Sequence, residues 1–336
     1  MYNYLNNKKI LITGGTGSFG KHFLFETILK FKPKQVIIFS RDEMKQWDLQ
    51  NQLNVNQTSL VKFIIGDVRD RDKVIMSTKD VDIVVHAAAT KIVTSAEKNP
   101  IEAIKTNIQG AINIIEASII NKVKKVIALS TDKACNPINL YGATKLASDK
   151  LFVSSNFTEN KNKTIFSIVR YGNVMGSRGS IIPFFMSQKS KKILPITDPE
   201  MTRFMISLDE GVELVWRAIN ESIGGEIYIK KIPSMKIIDI AKTISPNSDL
   251  KIIGIRPGEK IHEQMISKDD AHTTYEFKDH YKIIPHDEFL SKNNKKKMIS
   301  KGVKVKKDFE YSSEKNNKWM NSSQLKNWIK KLNINF

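Results

Sequence analysis

The run Lys9–Thr13 followed by Gly14-Gly15-Thr16-Gly17-Ser18-Phe19-Gly20 restricts this chain more than any other stretch. A short apolar run leads into the glycines, and Phe19, Phe23, Thr27, Ile28 and Phe31 then recur at helical spacing. A strand, a tight turn and a helix account for all of these features together. Glycines at 14, 17 and 20 permit the turn, a close approach of backbone to a pyrophosphate, and close helix–strand packing. The N-terminus of the helix then faces the phosphates. Gly14, Thr16, Gly17, Ser18, Phe19 and Gly20 are the expected contacts. Alone, such a triplet also fits a plain βα turn; its strand–turn–helix setting favours a nucleotide loop.

The rest of the first half repeats the rhythm. Strands are predicted at Lys9–Thr13, Gln35–Phe39, Val61–Ile65, Asp82–His86, Lys125–Ser130 and Ile165–Arg170. Helices are predicted over Asp42–Leu53, Asn99–Asn121 and Asn139–Asn156. Alternation of this kind argues for an α/β fold, a doubly wound parallel sheet of the Rossmann type. After Arg170 the pattern breaks into loops and shorter elements: a helix near Asp209–Asn220, strands at Glu226–Lys230 and Lys251–Ile255, and helices at Ile237–Ile244 and Ser323–Leu332. The expected division is a dinucleotide domain over 1–174, rejoined by parts of 204–235, and a smaller C-terminal substrate lobe over 175–336.

Composition narrows the class. With 336 residues, 40% apolar and 26% charged, the chain can bury a proper core. Its longest apolar stretches, such as Val81 to Ala89, are too short for a membrane span, so no membrane partner is expected. The polar N-terminus shows no signal peptide. The single cysteine, Cys135, excludes an internal disulfide and fits a reducing cytoplasm. Six histidines without a ligand-spaced cluster give no reason to expect a metal. Of the net charge of +19, the lysine-rich stretch 291–307 supplies +8. Only 8 of the 54 basic residues are arginine and no nucleic-acid motif accompanies them, so nucleic acid is not an expected partner. A positive field can still steer a diphosphate substrate.

The tip of the second strand bears on cofactor choice. An acid there usually holds the ribose 2′-hydroxyl of NAD. Here Ser40 and Arg41, with Lys45 one turn on, suit the 2′-phosphate of NADP, while Asp42 and Glu43 keep NAD open. Asp67-Val68 after the third strand resembles an adenine-edge contact, although Asp67 also fits a helix cap. Ala87 and Ala88 leave room above the sheet, and Lys91 points toward an anion in the cleft. Tyr141 and Lys145 lie one above the other on a helix face. There an ammonium lowers the phenol pKa and makes the tyrosine a usable base. Asp132-Lys133 just upstream adds a second acid–base pair that simple hydride transfer does not need.

Together these motifs resemble the extended short-chain dehydrogenase/reductase superfamily. The runs Ser130-Thr131-Asp132-Lys133-Ala134-Cys135-Asn136-Pro137, Phe39-Ser40-Arg41-Asp42-Glu43-Met44-Lys45-Gln46, Asp198-Pro199-Glu200-Met201-Thr202-Arg203-Phe204 and Arg256-Pro257-Gly258-Glu259-Lys260 narrow the match. They closely resemble the inverting UDP-N-acetylglucosamine 4,6-dehydratases, which open the pseudaminic acid pathway. The resemblance spans roughly residues 8–268. Retaining sugar-nucleotide dehydratases carry Asp-Glu where this chain has Asp132-Lys133. Membrane-anchored and capsule-pathway relatives tend to have Met in the position of Tyr141.

The resemblance implies roles. Tyr141, with Lys145, takes the 4-hydroxyl proton while C4 hydride passes to NADP+. Neutral Lys133 removes the C5 proton, protonated Asp132 donates to the departing 6-hydroxyl, and Thr131 bonds near the 4-oxygen. The hydride returns to C6, and protonation of C5 from the opposite face inverts it. Ser130, Asn173, Arg178, Thr197, Arg256 and Glu259 are the further contacts expected for the sugar nucleotide. Arg256 or Glu259 taken singly is also an ordinary surface charge. A closed homo-oligomer, with a hexamer among the forms open to it, is implied as well. Rival readings are a UDP-sugar 4-epimerase, a C5 epimerase, or a nucleotide-binding scaffold without turnover.

Overall fold

The computed structural model describes residues 3–157, 164–177 and 179–331. Six parallel strands form its centre: β1 (Lys9–Thr13), β2 (Gln35–Ser40), β3 (Val61–Ile65), β4 (Ile83–His86), β5 (Lys125–Thr131) and β6 (Ile165–Tyr171). Their order across the sheet is β3-β2-β1-β4-β5-β6. That is the doubly wound dinucleotide-binding order, and the chain reverses direction across the sheet between β1 and β4. A switch point there opens a crevice at the carboxyl ends of the strands, where ligands bind in such sheets.

Alternation along the strands divides the core into two layers. Ile10, Ile12, Val36 and Ile38 face one side with Phe23 and Leu24 of the helix Ser18–Lys30 and with the helix Leu208–Glu221. Leu11, Ile37 and Phe39 face the other, against Val74, Ile114 and Phe152 from three further helices. Each such side chain contributes about 1.5–3 kcal/mol by leaving water.

The sheet continues past β6. Ile227–Lys230 joins it in parallel, and His280–Ile283, Thr274–Glu276 and Val303–Lys304 extend it antiparallel. The last three are too short and too polar to stand out in the sequence. Their order comes from pairing with a strand already fixed. A separate apolar cluster, including Phe185, Leu194, Met205, Ile240 and Ile329, builds the smaller lobe. The predicted Asn99–Asn121 helix is broken: Pro100–Ile104, a π-helical turn Lys105–Gln109, then Gly110–Ile120. Within that turn, Asn107 donates to the Thr90 carbonyl and the Thr144 hydroxyl, tying it to the strand end and to the next helix. Among the described residues no helix is long and apolar enough to cross a membrane.

Candidate active site

A cleft of about 1170 Å³ runs between the sheet's carboxyl end and the smaller lobe. One end is built from the first three βα turns. Gly14 has φ +65°, and a Cβ there would lie 2.9 Å from the Ala88 backbone, so the turn needs glycine. The helix Ser18–Lys30 begins at Gly17 with no side-chain cap, which leaves its first N–H groups to a ligand. Thr16 donates to Ser40 Oγ at 3.1 Å, and Gln46 donates to the Ser40 carbonyl at 3.0 Å, fixing the tip of β2. This glycine cradle fits the pyrophosphate of a nicotinamide dinucleotide.

At that tip Asp42 caps the helix Glu43–Gln50 by accepting from Lys45 N, and its other oxygen pairs with the Lys45 ammonium. Arg41 is exposed and lies 3.5 Å from Asp67. Asp67 accepts twice from the Arg69 guanidinium. Burial pushes its carboxyl up, and the bonds and charge of Arg69 outweigh this and hold it low. Val68, Ala87, Ala88 and Lys91 line the cleft; burial pushes the Lys91 ammonium down. Glu43 does not line it: as the first residue of its helix it is turned to solvent.

The other end is charged. Thr131, Lys133, Tyr141, Lys145 and Asn173 form its wall. Gly142 lets the helix Leu140–Ser154 sit against the loop, since a Cβ there would lie 2.2 Å from the Lys133 carbonyl oxygen. Lys133 Nζ donates to Asp132 Oδ1 at 3.1 Å and reaches Asn173 Oδ1 at 3.5 Å. Its third neighbour is Glu263 Oε1, at 2.9 Å. Burial pulls the Lys133 ammonium down, but Asp132 and Glu263 outweigh it and hold the group protonated. The neutral amine that the sequence reading calls for is therefore not its resting form.

Asp132 is fully buried and lies behind the wall rather than on it. Its Oδ1 accepts from Thr131 Oγ1 at 2.9 Å, and its Oδ2 has no partner. Burial raises its carboxyl against the pull of Lys133. Tyr141 is pushed up to about 12 by burial, opposed first by Lys133 and then by a bond to Thr131. Lys145, which the sequence casts in that opposing role, is itself lowered by burial and countered by Asp149. Ser130 also lines the cleft, but its hydroxyl donates to Asp149 at 2.7 Å within a buried network that includes Arg170. Thr197, Arg256 and Glu259 sit on the smaller lobe's side. Arg256 donates to both carboxylate oxygens of Glu259, at 2.8 and 3.1 Å. Arg178 lies outside the described residues.

The chain matches the family model described as polysaccharide biosynthesis protein over residues 10–285. It is 53% identical over 325 residues to an inverting UDP-N-acetylglucosamine 4,6-dehydratase of Campylobacter jejuni, covering 95% of this chain and 96% of that one. The chain belongs to the family of the inverting UDP-N-acetylglucosamine 4,6-dehydratases. A Rickettsia bellii protein named UDP-glucose 4-epimerase is 44% identical over 286 residues, covering 82% of this chain and 83% of its own. The crystal structure of Pen from Bacillus thuringiensis superposes with a TM-score of 0.88 at 35% identity, covering 98% of both chains.

In this dehydratase-family chain, two site residues lie beyond the sequence assignments. Arg203 lies in the Asp198–Phe204 run without an assigned role, and Glu263 lies outside all four runs. Arg203 lies 3.7 Å from Glu263 and 3.7 Å from Glu259, bridging both acids. The one available signal was the acid in His262-Glu263-Gln264, shortly after the Arg256–Lys260 run. A single acid carries no pattern until the fold brings it to Lys133.

Proposed function

We propose that this protein is a UDP-N-acetylglucosamine 4,6-dehydratase that inverts C5, works with NADP, and catalyses the opening reaction of pseudaminic acid synthesis. The observation that carries the reading is Lys133 on the cleft wall, bonded to a buried carboxylate and facing Tyr141's end of the cleft. A C4 oxidation needs only Tyr141; an elimination across C5 and C6 needs a second base and acid. For the cofactor, Arg41 and Lys45 supply positive charge at the ribose end, while Asp42 is engaged as a cap and by Lys45. That arrangement favours a 2′-phosphate.

Gly14, Thr16, Gly17 and the N-terminus of the helix Ser18–Lys30 would hold the dinucleotide, which would supply a hydride acceptor for C4 and a hydride donor for C6, and a positive charge favouring the Tyr141 phenolate. Tyr141 gives up its own proton to solvent and, as the phenolate, accepts the 4-hydroxyl proton. The ammonium of Lys133 passes a proton over 3.1 Å to Asp132 Oδ1, which leaves a neutral amine and a protonated carboxyl. The amine then takes the C5 proton, that electron pair forms the C5–C6 double bond, and the C6–oxygen bond breaks. Thr131, hydrogen-bonded to Oδ1, gives its hydroxyl proton to the leaving oxygen and receives the one on Asp132. Water departs, and Asp132 and Lys133 are again carboxylate and ammonium. As hydride reaches C6, Tyr141 returns its proton to C5 from the other face, which inverts that centre.

Incubating the protein with UDP-N-acetylglucosamine and NADP, and following the sugar by NMR, tests this. A C6 methyl signal with a C4 ketone is the expected product. The name of the Rickettsia relative favours a 4-epimerase instead. Accumulation of the C4 epimer with C6 still hydroxylated would establish that alternative.

A further inference from the structure

We propose that Glu263 is a positioning residue that clamps the Lys133 amine at the cleft wall and governs when it gives up its proton. This rests on the dehydratase reading of the same site. Glu263 is 1% exposed, yet it borders the cleft. Its Oε1 lies 2.9 Å from Lys133 Nζ, closer than Asp132, and its Oε2 is buried without a partner. A buried carboxylate without full compensation is costly, so its placement calls for a role. The backbone holds it firmly: Glu263 N donates to Ser313 Oγ at 2.9 Å, and Ser313 N donates back to its carbonyl at 2.7 Å. Those bonds come from a segment fifty residues away, independent of the β5 loop that carries Lys133.

The charged and titratable groups around the pair come from every neighbouring element. Asp132 stands beside Lys133 on its own loop, and Tyr141 faces it from the helix Leu140–Ser154. Arg203 faces both from the strand Thr202–Ile206, and Lys260 acts on Glu263 from the preceding loop. Two carboxylates thus compete for the Lys133 proton. Burial pushes the Glu263 carboxyl up, but Lys133, Arg203 and Lys260 outweigh it and keep it ionised, whereas burial of Asp132 outweighs the pull of Lys133 and raises its carboxyl. The proton therefore moves to Asp132, and Glu263 stays an anion that holds the amine in place throughout. Removing that anion makes Lys133 easier to deprotonate.

The test compares wild type with E263Q and E263D. Lysine labelled at 13Cε gives a titration of Lys133, assigned by the signal lost in Lys133→Arg, and needs no substrate. In E263Q the midpoint should fall by about one to three pH units, the size of effect an opposite charge at this range exerts. The basic limb of kcat/KM for UDP-N-acetylglucosamine should move the same way, because the pair works with one proton shared between Lys133 and Asp132. E263D keeps the charge but not the reach, so kcat should drop by about 10- to 100-fold with KM little changed. An unmoved midpoint in E263Q overturns the proposal. If E263Q does not fold, an unchanged kcat in E263D overturns it. A shifted midpoint in a protein that never turns over the sugar nucleotide would leave the clamp standing and sink the dehydratase reading instead.

Discussion

The two ends of the cleft use different physics. The cofactor end is made of backbone: a positive-φ glycine, an uncapped helix N-terminus, and two exposed cations at the strand tip. The acid–base end is made of buried charge, with Asp132, Lys133, Arg203 and Glu263 gathered from three separate segments. Exposed charges are screened and tune binding by small steps, whereas buried ones interact strongly and respond steeply to pH. Affinity for the cofactor should therefore change gradually under substitution, and chemistry abruptly.

The sharpest break of that contrast is Lys133→Ala. It should cut dehydration by about 10²- to 10⁴-fold while C4 oxidation, seen as reduced cofactor in a single turnover, persists. Full formation of the 6-deoxy-4-keto product would mean another group is the base. Next in size is Thr131, the link between buried Asp132 and the cleft. Thr131→Val should lower kcat by about 10- to 100-fold and Thr131→Ser much less, because only the hydroxyl carries the proton. Equal losses in both variants would remove the relay.

His86 extends the comparison to stability. Burial, with the Lys145 charge, lowers its pKa from 6.5 to about 3, and its Nδ1 pairs with Thr13 Oγ1 at 2.8 Å. A lowered folded value means that below 6.5 the unfolded chain binds a proton that the folded chain refuses. Stability should fall as pH drops through that window, by about 2 kcal/mol at pH 5, and continue toward pH 3. Urea melts at pH 7 and pH 5 check this, and the drop should shrink in His86→Asn. The smallest effect is at the exposed end. Arg41→Ala should weaken NADP by about five-fold, less at high salt, and leave NAD nearly unchanged. Equal losses for both would mean that Arg41 does not read the 2′-phosphate.

The same contrast explains what could be read before folding. The cofactor end is local: each βα turn places its own residues, so Gly14, Ser40, Arg41 and Asp67 are legible in short windows. Asp42 was legible as an acid near the ribose but not as a cap already engaged by Lys45, because capping depends on where the helix starts. The acid–base end is legible only where it too is local, at Thr131–Lys133 and Tyr141–Lys145. Spacing suggested that Lys145 acts on Tyr141; the largest forces lowering the buried phenol come from Lys133 and Thr131, which that spacing does not reveal. Glu263 reaches the site through a strand pairing with Tyr311–Ser312, a long-range event that no window contains. The strands from Thr274 to Lys304 were hidden for the same reason.

We assign the elimination of water across C5 and C6 to the Asp132–Lys133 pair, with Tyr141 serving the opposite face. Turnover of UDP-N-acetylglucosamine in deuterated water, sampled at early times by NMR, tests it most directly. The account predicts a 6-deoxy-4-keto sugar of L-arabino configuration, with solvent deuterium at C5 and the C4 hydride carried to C6 without exchange. An early product of D-xylo configuration would contradict it, because proton removal and return would then share one face and one group.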